Sequence, residues 1–250
     1  MKYTVITGAS SGIGYETALA FAARGKNLIL TARRKENLDE LRSRIQQFHA
    51  DVDVVIHATD LSIAANAFSL YESLKTYEIE TWINNAGLGN GASVGDQNLD
   101  KIQQMLHLNI EALTILSSLF VHDYASVKGT QLINISSSGG YTIIGDAVTY
   151  CASKFYVSAF TEGLAQELME KGAHMKVKVL APATTETEFA KRFFDLEHFE
   201  YSGVFPKFHT AAQVAELLLK LYDGDKAVGI VDGYTYQFEL RDPIFPYLSL

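Results

Sequence analysis

One cysteine in 250 residues leaves nothing to pair with, so Cys151 excludes an internal disulfide framework and points to a reducing compartment. The seven histidines form no ligand pattern that would hold a metal, and none is expected. Basic charge is short as well: 21 Lys and Arg stand against 29 Asp and Glu, a net charge of -8. No basic stripe is left to replace counterions along a nucleic acid, which favours small-molecule ligands. Long apolar runs are missing near the start, where 3–6 breaks at Gly8, too short for a signal-peptide core or a membrane span. No membrane partner is expected, and the cytoplasm is the expected compartment. Repeats and low-complexity tracts are absent too.

What is present is a globular composition, 48% hydrophobic and 20% charged, enough for one domain over residues 1–250 with a large core. Short β-rich runs at 3–6, 27–31, 52–58, 81–84, 130–136, 177–181 and 228–231 alternate with helical patterns. The spacing of Leu38, Leu41, Ile45 and Phe48, or of Phe160, Leu164, Leu168 and Met169, is helical. Runs apolar on both sides, such as Val54-Val55-Ile56, predict strands covered on both faces. The expected fold is α/β: a doubly wound Rossmann-type domain with a seven-stranded parallel sheet and helices on both faces. Two segments break the rhythm. Residues 184–208 are rich in Phe and Tyr and lack strand alternation, and the tail 233–250 carries Pro243 and Pro246.

Directly after the first strand comes Thr7-Gly8-Ala9-Ser10-Ser11-Gly12-Ile13-Gly14, opening a helical pattern. Such a turn lets backbone approach a pyrophosphate at the positive end of a helix, which makes Gly8, Ser10, Ser11, Gly12, Ile13 and Gly14 candidate cofactor contacts. The alternative is an ordinary strand-helix turn, since the spacing is not G-x-G-x-x-G. The second strand ends Leu30-Thr31-Ala32-Arg33-Arg34, without the carboxylate that would bind a ribose 2′-hydroxyl. Arg33 and Arg34 can pair with a 2′-phosphate, so NADP(H) is favoured and NAD(H) remains possible; a solvated helix start is the plainer reading.

Tyr-x-x-x-Lys occurs four times, at Tyr71/Lys75, Tyr124/Lys128, Tyr150/Lys154 and Tyr222/Lys226. Only Tyr150 has a serine thirteen residues upstream; the others have Ala58, Glu111 and His209 there. That serine, Ser137, closes the fifth strand, on the side where open parallel sheets bind ligands. A phenol with a reference pKa near 10 needs a stabilised phenolate to exchange protons at neutral pH. A cation about 4 Å away contributes on the order of 4 kcal/mol at an effective dielectric of about 20, so Lys154 is expected to lower the pKa of Tyr150.

The glycine turn, Thr-Gly-x-x-x-Gly-x-Gly, together with Asn84-Asn85-Ala86-Gly87 after the fourth strand, resembles the short-chain dehydrogenase/reductase family. The resemblance runs in order through about residue 232. It implies hydride transfer between a nicotinamide and a carbonyl or alcohol, with Tyr150 exchanging the proton and Ser137 bonding the substrate oxygen. Lys154 would hold the nicotinamide ribose as well, and Asn109 would support a water path to it. Further cofactor contacts implied are Asp60 at the adenine, where a helix N-cap is the alternative, then Asn85, Ala86 and Gly87, with Pro182 and Thr187 at the nicotinamide. Ala183 stands where the family has glycine, and Ser11 where NADP-preferring members often carry a basic residue.

The aromatics Phe189, Phe193, Phe194, Phe199, Tyr201, Phe205 and Phe208 could line a substrate lid or pack on the sheet or a neighbouring subunit. The resemblance also implies a homodimer or homotetramer. The expected function is an NADP-dependent reductase of small, apolar ketones or aldehydes. The alternatives are an NAD-linked alcohol or steroid-type dehydrogenase and a non-catalytic dinucleotide-binding regulator or scaffold.

Overall fold

Val5 and Ile6, like Leu28, Ile29 and Leu30, are fully buried although successive strand residues point to opposite faces. Both faces of this sheet are therefore covered. The computed structural model describes residues 1–249. The chain begins β1 (Lys2–Thr7), α1 (Gly12–Ala22), β2 (Asn27–Ala32), α2 (Lys35–Phe48), β3 (Val54–Ala58), α3 (Ala64–Leu74) and β4 (Glu78–Asn84). It continues through α4 (Leu99–Leu106), a π-helical turn (His107–Ala112), α5 (Leu113–Tyr124), β5 (Gln131–Ile135), α6 (Val148–Glu170) and β6 (Lys176–Ala181). The last part holds β7 (Thr185–Glu186), α7 (Phe189–Phe193), β8 (His209–Thr210), α8 (Ala211–Asp223), β9 (Val228–Val231) and β10 (Phe238–Arg241).

The main sheet has the order β10-β9-β6-β5-β4-β1-β2-β3. All neighbours are parallel except β10, which runs antiparallel to β9. The expectation of seven parallel strands is thus corrected to eight strands with one antiparallel edge. The extra strand lies in the proline-bearing tail. Asp232 Oδ1 accepts from the Tyr234 and Thr235 N–H groups (3.0 and 2.7 Å), and Tyr236 takes a left-handed φ of 61°. The chain therefore reverses in time for residues 238–241 to pair before Pro243. The expectation for Val54-Val55-Ile56 also needs correcting, because β3 is the opposite edge and Val55 and Ile56 are only half-buried.

One face is packed by α1, α2 and α8 through Phe21, Leu38, Leu41, Ile45, Val214 and Leu218. The other is packed by α3, α5 and α6 through Leu70, Leu74, Leu116, Phe120 and Leu168. Phe48 and Met169, read as part of the same helical stripes, are exposed. The helical run Leu99–Tyr124 is apolar and long enough to cross a membrane by composition alone. Its Leu116 and Phe120 belong to the core beneath the sheet, which accounts for the apolarity.

Two buried charges tie the far end together. Lys178 Nζ donates to the carbonyls of Leu221, Tyr222 and Gly224 (2.7, 2.9 and 2.7 Å), closing the C-terminal end of α8. Burial pulls its pKa down to about 8. Glu162 of α6 accepts from the Tyr141 hydroxyl and from the N–H groups of Ile244 and Phe245, pinning the tail.

Because β1 leads to β2 on one side and the adjacent β4 leads to β5 on the other, the connections leave the carboxyl ends of these two strands in opposite directions. The crevice so formed is where such sheets bind ligands.

Candidate active site

Gly8 and Gly12 adopt left-handed backbone, φ +69° and +58°, a region that side chains disfavour. A Cβ on Gly8 would lie 2.8 Å from Ala86 Cα, and one on Gly14 would lie 2.4 Å from Asn85 Nδ2. The glycine turn and the segment after β4 are therefore packed backbone to backbone. Thr7 Oγ1 accepts from the N–H groups of Asn85 and Ala86 (3.0 and 2.9 Å), and Asn85 Nδ2 donates to Thr7 O (2.9 Å). Thr7 entered the sequence reading only as the first letter of the turn. Its joining role depends on β4 lying alongside.

Above this junction opens a cavity of about 730 Å³. Every residue expected at the catalytic or cofactor positions lines it except Gly14 and Asn109. Gly14 acts one layer down, by admitting Asn85. The other Tyr-x-x-x-Lys pairs lie off the cavity: Tyr71 donates to Asp123 (2.8 Å), Tyr222 packs edge-on against Phe21, and Lys226 pairs with Asp242. Tyr124 packs with its ring tilted against Phe120.

Tyr150 and Lys154 sit one turn apart on α6 and are both buried. Lys154 Nζ donates to Ile135 O at the end of β5 (2.9 Å). Ser136 is buried and donates to Lys154 O (2.9 Å), fastening the helix to that strand. Burial pushes the Tyr150 phenol up to about 12, while a hydrogen bond with Ser137 works the other way. The expected lowering by Lys154 is not found: loss of water dominates at the phenol, only Ser137 opposes it, and Lys154 is itself pulled down to about 8 by burial. The pair is a protonated phenol and an amine whose pKa is drawn down to about 8.

Asn109 lies in the π-helical turn between α4 and α5. Its carboxamide accepts from Leu88 N–H (2.8 Å) and donates to Leu88 O (2.8 Å) and Ser153 Oγ (3.1 Å). It therefore clamps the loop after β4. A Cβ on Gly87 would lie 3.4 Å from both Asn109 Oδ1 and Lys154 Nζ, so this glycine is the spacer between them.

At the other end of the cavity Arg33 pairs with Asp60 (3.7 Å). Arg34 donates to Ser11 Oγ (2.7 Å) and pairs with Glu188 (2.9 Å), so neither arginine is merely solvated. Asp60 does not cap α3, whose N-cap position is Ile63. Burial would raise its carboxyl, but bonds from Ser62 and the charge of Arg33 leave it below the ordinary value. Arg192, absent from the sequence reading, reaches this cluster from α7 and pairs with Glu188 (3.5 Å). Its i,i+4 spacing from Glu188 was readable in the sequence, but not that Arg34 meets the same carboxylate.

Ala183 is buried and is not among the residues with positive φ, so the backbone here does not need glycine. Thr187 is held by Tyr201, whose hydroxyl donates to its carbonyl (3.1 Å), and its methyl rests close to Gly12. The aromatic segment forms a continuous chain of rings from Phe189 to Phe208 through Tyr201. Phe189 and Phe193 lie 5.6 and 5.7 Å from the Tyr150 ring, centre to centre.

These features fit a dinucleotide. Ser11 is the N-cap residue of α1 yet makes no capping bond, its hydroxyl being taken by Arg34, so the first-turn N–H groups lack a side-chain partner. Gly8 and Gly12 line the cavity at this helix start, and the arginines stand at its end nearest β2.

Comparison with known proteins identifies the family and the fold. The family profile described as short chain dehydrogenase matches residues 2–197. An uncharacterized oxidoreductase of Staphylococcus saprophyticus is 32% identical over 196 residues, 78% of each chain. A short-chain dehydrogenase from Sphingobium yanoikuyae in complex with NADPH superposes with a TM-score of 0.84 at 29% identity, covering 92% of this chain and 87% of its own. A bulky-bulky ketone specific alcohol dehydrogenase from Comamonas testosteroni gives 0.80 at 28%, covering 92% and 86%.

Proposed function

The chain belongs to the short-chain dehydrogenase family, oxidoreductases of alcohols and carbonyls that use a nicotinamide dinucleotide, and on that premise we propose that it is an NADP-dependent reductase of small, largely apolar ketones and aldehydes. The observation that carries the reading is the convergence of Ser137, Tyr150 and Lys154 with the glycine turn in one cavity roofed by phenylalanines. Residues 1–250 act as one domain, with 184–208 as a lid.

The bound cofactor supplies the hydride. The chain's residues do the rest. Ser137 donates to the substrate oxygen, and Tyr150, protonated at neutral pH with its phenol at about 12, gives its proton to the same oxygen. Lys154 holds the nicotinamide ribose while its backbone is fixed by Ser136. Asn109 keeps the loop at Leu88 in register and takes part in proton supply toward Lys154. Thr187 and Pro182 orient the carboxamide, and Phe189 and Phe193 exclude water from Tyr150. Asn85, Ala86 and Gly87 line the sugar, and Asp60 the adenine.

The NADP preference rests on Arg33 and Arg34 at the end of β2 without a carboxylate of that strand beside them. The protein works in a reducing compartment, the cytoplasm, where the buried Cys151 thiol is stable. It pairs as a homodimer or homotetramer through α5 and α6, where Tyr156 and Phe160 stack half-buried and Tyr156 bonds Thr114 across the helices.

A panel of aldehydes and ketones with NADPH consumption as the readout tests the reading. Turnover of aryl or alkyl ketones is expected, and its loss in Tyr150→Phe with NADPH binding retained. Turnover surviving in that variant, or equal affinity for NADPH and NADH, overturns the assignment.

A further inference from the structure

Glu188 is the last residue before α7, and one of its oxygens, Oε2, faces two guanidinium groups at once, Arg34 (2.9 Å) and Arg192 (3.5 Å). Arg33, paired with Asp60, completes the group. Arg192 is exposed over 45% of its side-chain surface, yet its pKa is lowered first by burial and then by the charge of Arg34, with Glu188 opposing and Arg33 adding to the effect. Three cations are therefore crowded around the end of the cavity nearest β2, against two carboxylates. Crowding of like charge is costly unless an anion fills the space between.

The Glu188 carboxylate is about half exposed, at 49% of its side-chain surface. Ion pairs of this exposure are weak and are exchanged easily for a better anion. A phosphate monoester carries roughly 1.5 to 2 negative charges at neutral pH and offers three acceptor oxygens. In place of Glu188 it brings the three guanidiniums and Asp60 close to neutrality, and each arginine can bond it in a forked manner.

We propose that Arg192 is the third arginine of the 2′-phosphate site, contributed by the lid, and that Glu188 is a built-in stand-in for that phosphate, displaced when NADP(H) enters. The proposal rests on the NADP reading above and extends it from β2 to the lid. Selectivity then lies in two segments some 150 residues apart, with Arg34 common to both because it also bonds Ser11 in the glycine turn. Glu188 precedes Phe189, which packs on Tyr150, so the segment that surrenders Glu188 is the one that covers the phenol.

The test uses the whole protein and two fragments that differ only in the 2′-phosphate, 2′,5′-ADP and 5′-AMP, with dissociation constants measured by calorimetry. Wild type is expected to prefer 2′,5′-ADP. Arg192→Gln should weaken 2′,5′-ADP about tenfold and leave 5′-AMP within about twofold, the loss of one charge-assisted contact. Arg192→Lys should restore part of the loss. Glu188→Gln should tighten 2′,5′-ADP several-fold, because the competing charge is gone.

Equal weakening of both fragments by Arg192→Gln would show that the residue serves the 5′-phosphate or only the lid's packing, and would overturn the proposal. Glu188→Gln weakening 5′-AMP would mean that the carboxylate binds a ribose hydroxyl, which also overturns it. A wild type indifferent to the 2′-phosphate removes the NADP reading itself. A wild-type preference unchanged in Arg192→Gln removes only the role of the lid.

Discussion

The carboxamide of Asn109 holds both the N–H and the carbonyl of Leu88, each at 2.8 Å. One side chain thus does for the loop after β4 what a neighbouring strand would do. It can reach because the π-helical turn at His107–Ala112 redirects residue 109 out of the regular α-helical register. Replacing Asn109 by Leu keeps the branched shape and removes every bond, leaving the part-buried backbone groups of Leu88 unpaired. A loss of about 2 to 4 kcal/mol is expected, which for a chain of this size lowers the thermal midpoint by roughly 5 to 15 °C. Calorimetry with and without NADPH measures it; a midpoint within a degree of wild type would show that the loop does not depend on the clamp.

The phenol and the amine give a pH dependence of definite sign. With Tyr150 at about 12, the proton donor for reduction is present throughout the neutral range. Lys154, at about 8, loses its charge above that pH. The kcat/KM for ketone reduction should be level near pH 7 and fall above about 8, whereas alcohol oxidation, which needs the phenolate, should rise toward alkaline pH. A reduction rate that climbs steadily from pH 7 to 10 contradicts this assignment of the proton.

Lys178 lies far from the cavity and bears on stability. Its replacement by Met leaves the carbonyls of Leu221, Tyr222 and Gly224 without their donor, an expected loss of about 2 to 4 kcal/mol at pH 7. In the folded chain this amine releases its proton near 8, below the ordinary 10.5. Between those values the unfolded state binds more protons, so wild-type stability gains with rising pH from this group. The difference between wild type and Lys178→Met in urea unfolding should therefore widen from pH 8 to 10; a constant difference would place the charge elsewhere.

Gly91 sits directly beneath the ring of Phe193, where a Cβ would fall 2.4 Å from Cε1. The Gly91 N–H also donates to Phe193 O (2.8 Å). Gly91→Ala should lift the lid from Tyr150, speeding proteolytic cleavage within 184–208 and raising KM for small ketones several-fold, with the thermal midpoint changed little. Unchanged cleavage and KM would mean that the ring moves aside without the helix.

Much of the site was legible because its motifs are local. The glycine turn, Asn84 to Gly87 and the Ser137-Tyr150-Lys154 offset each fall at a strand end, and all of these sequence segments reach the same crevice. The four Tyr-x-x-x-Lys pairs could be separated by the upstream serine alone. Less visible were the partners. Asn109 was matched by position, but its grip on Leu88 needs the π-helical turn, and no periodicity in 107–112 announces one. The strand at 238–241 was hidden by the nearby prolines, since what creates it is the reversal at Asp232 and an open edge on β9.

The sequence by itself determined the alternating architecture, the crevice beyond the carboxyl ends of β1 and β4, and the residues that line it, because burial periodicity and glycine backbone freedom act over a few residues. Only the tertiary structure decided which charges face one another and how strongly each is desolvated. It set Tyr150 at about 12 rather than below 10, gave Lys154 a carbonyl partner, and brought Arg192 and Glu188 to the arginines of β2. Those outcomes depend on distances and water exclusion between segments far apart in the chain, which residue spacing does not encode.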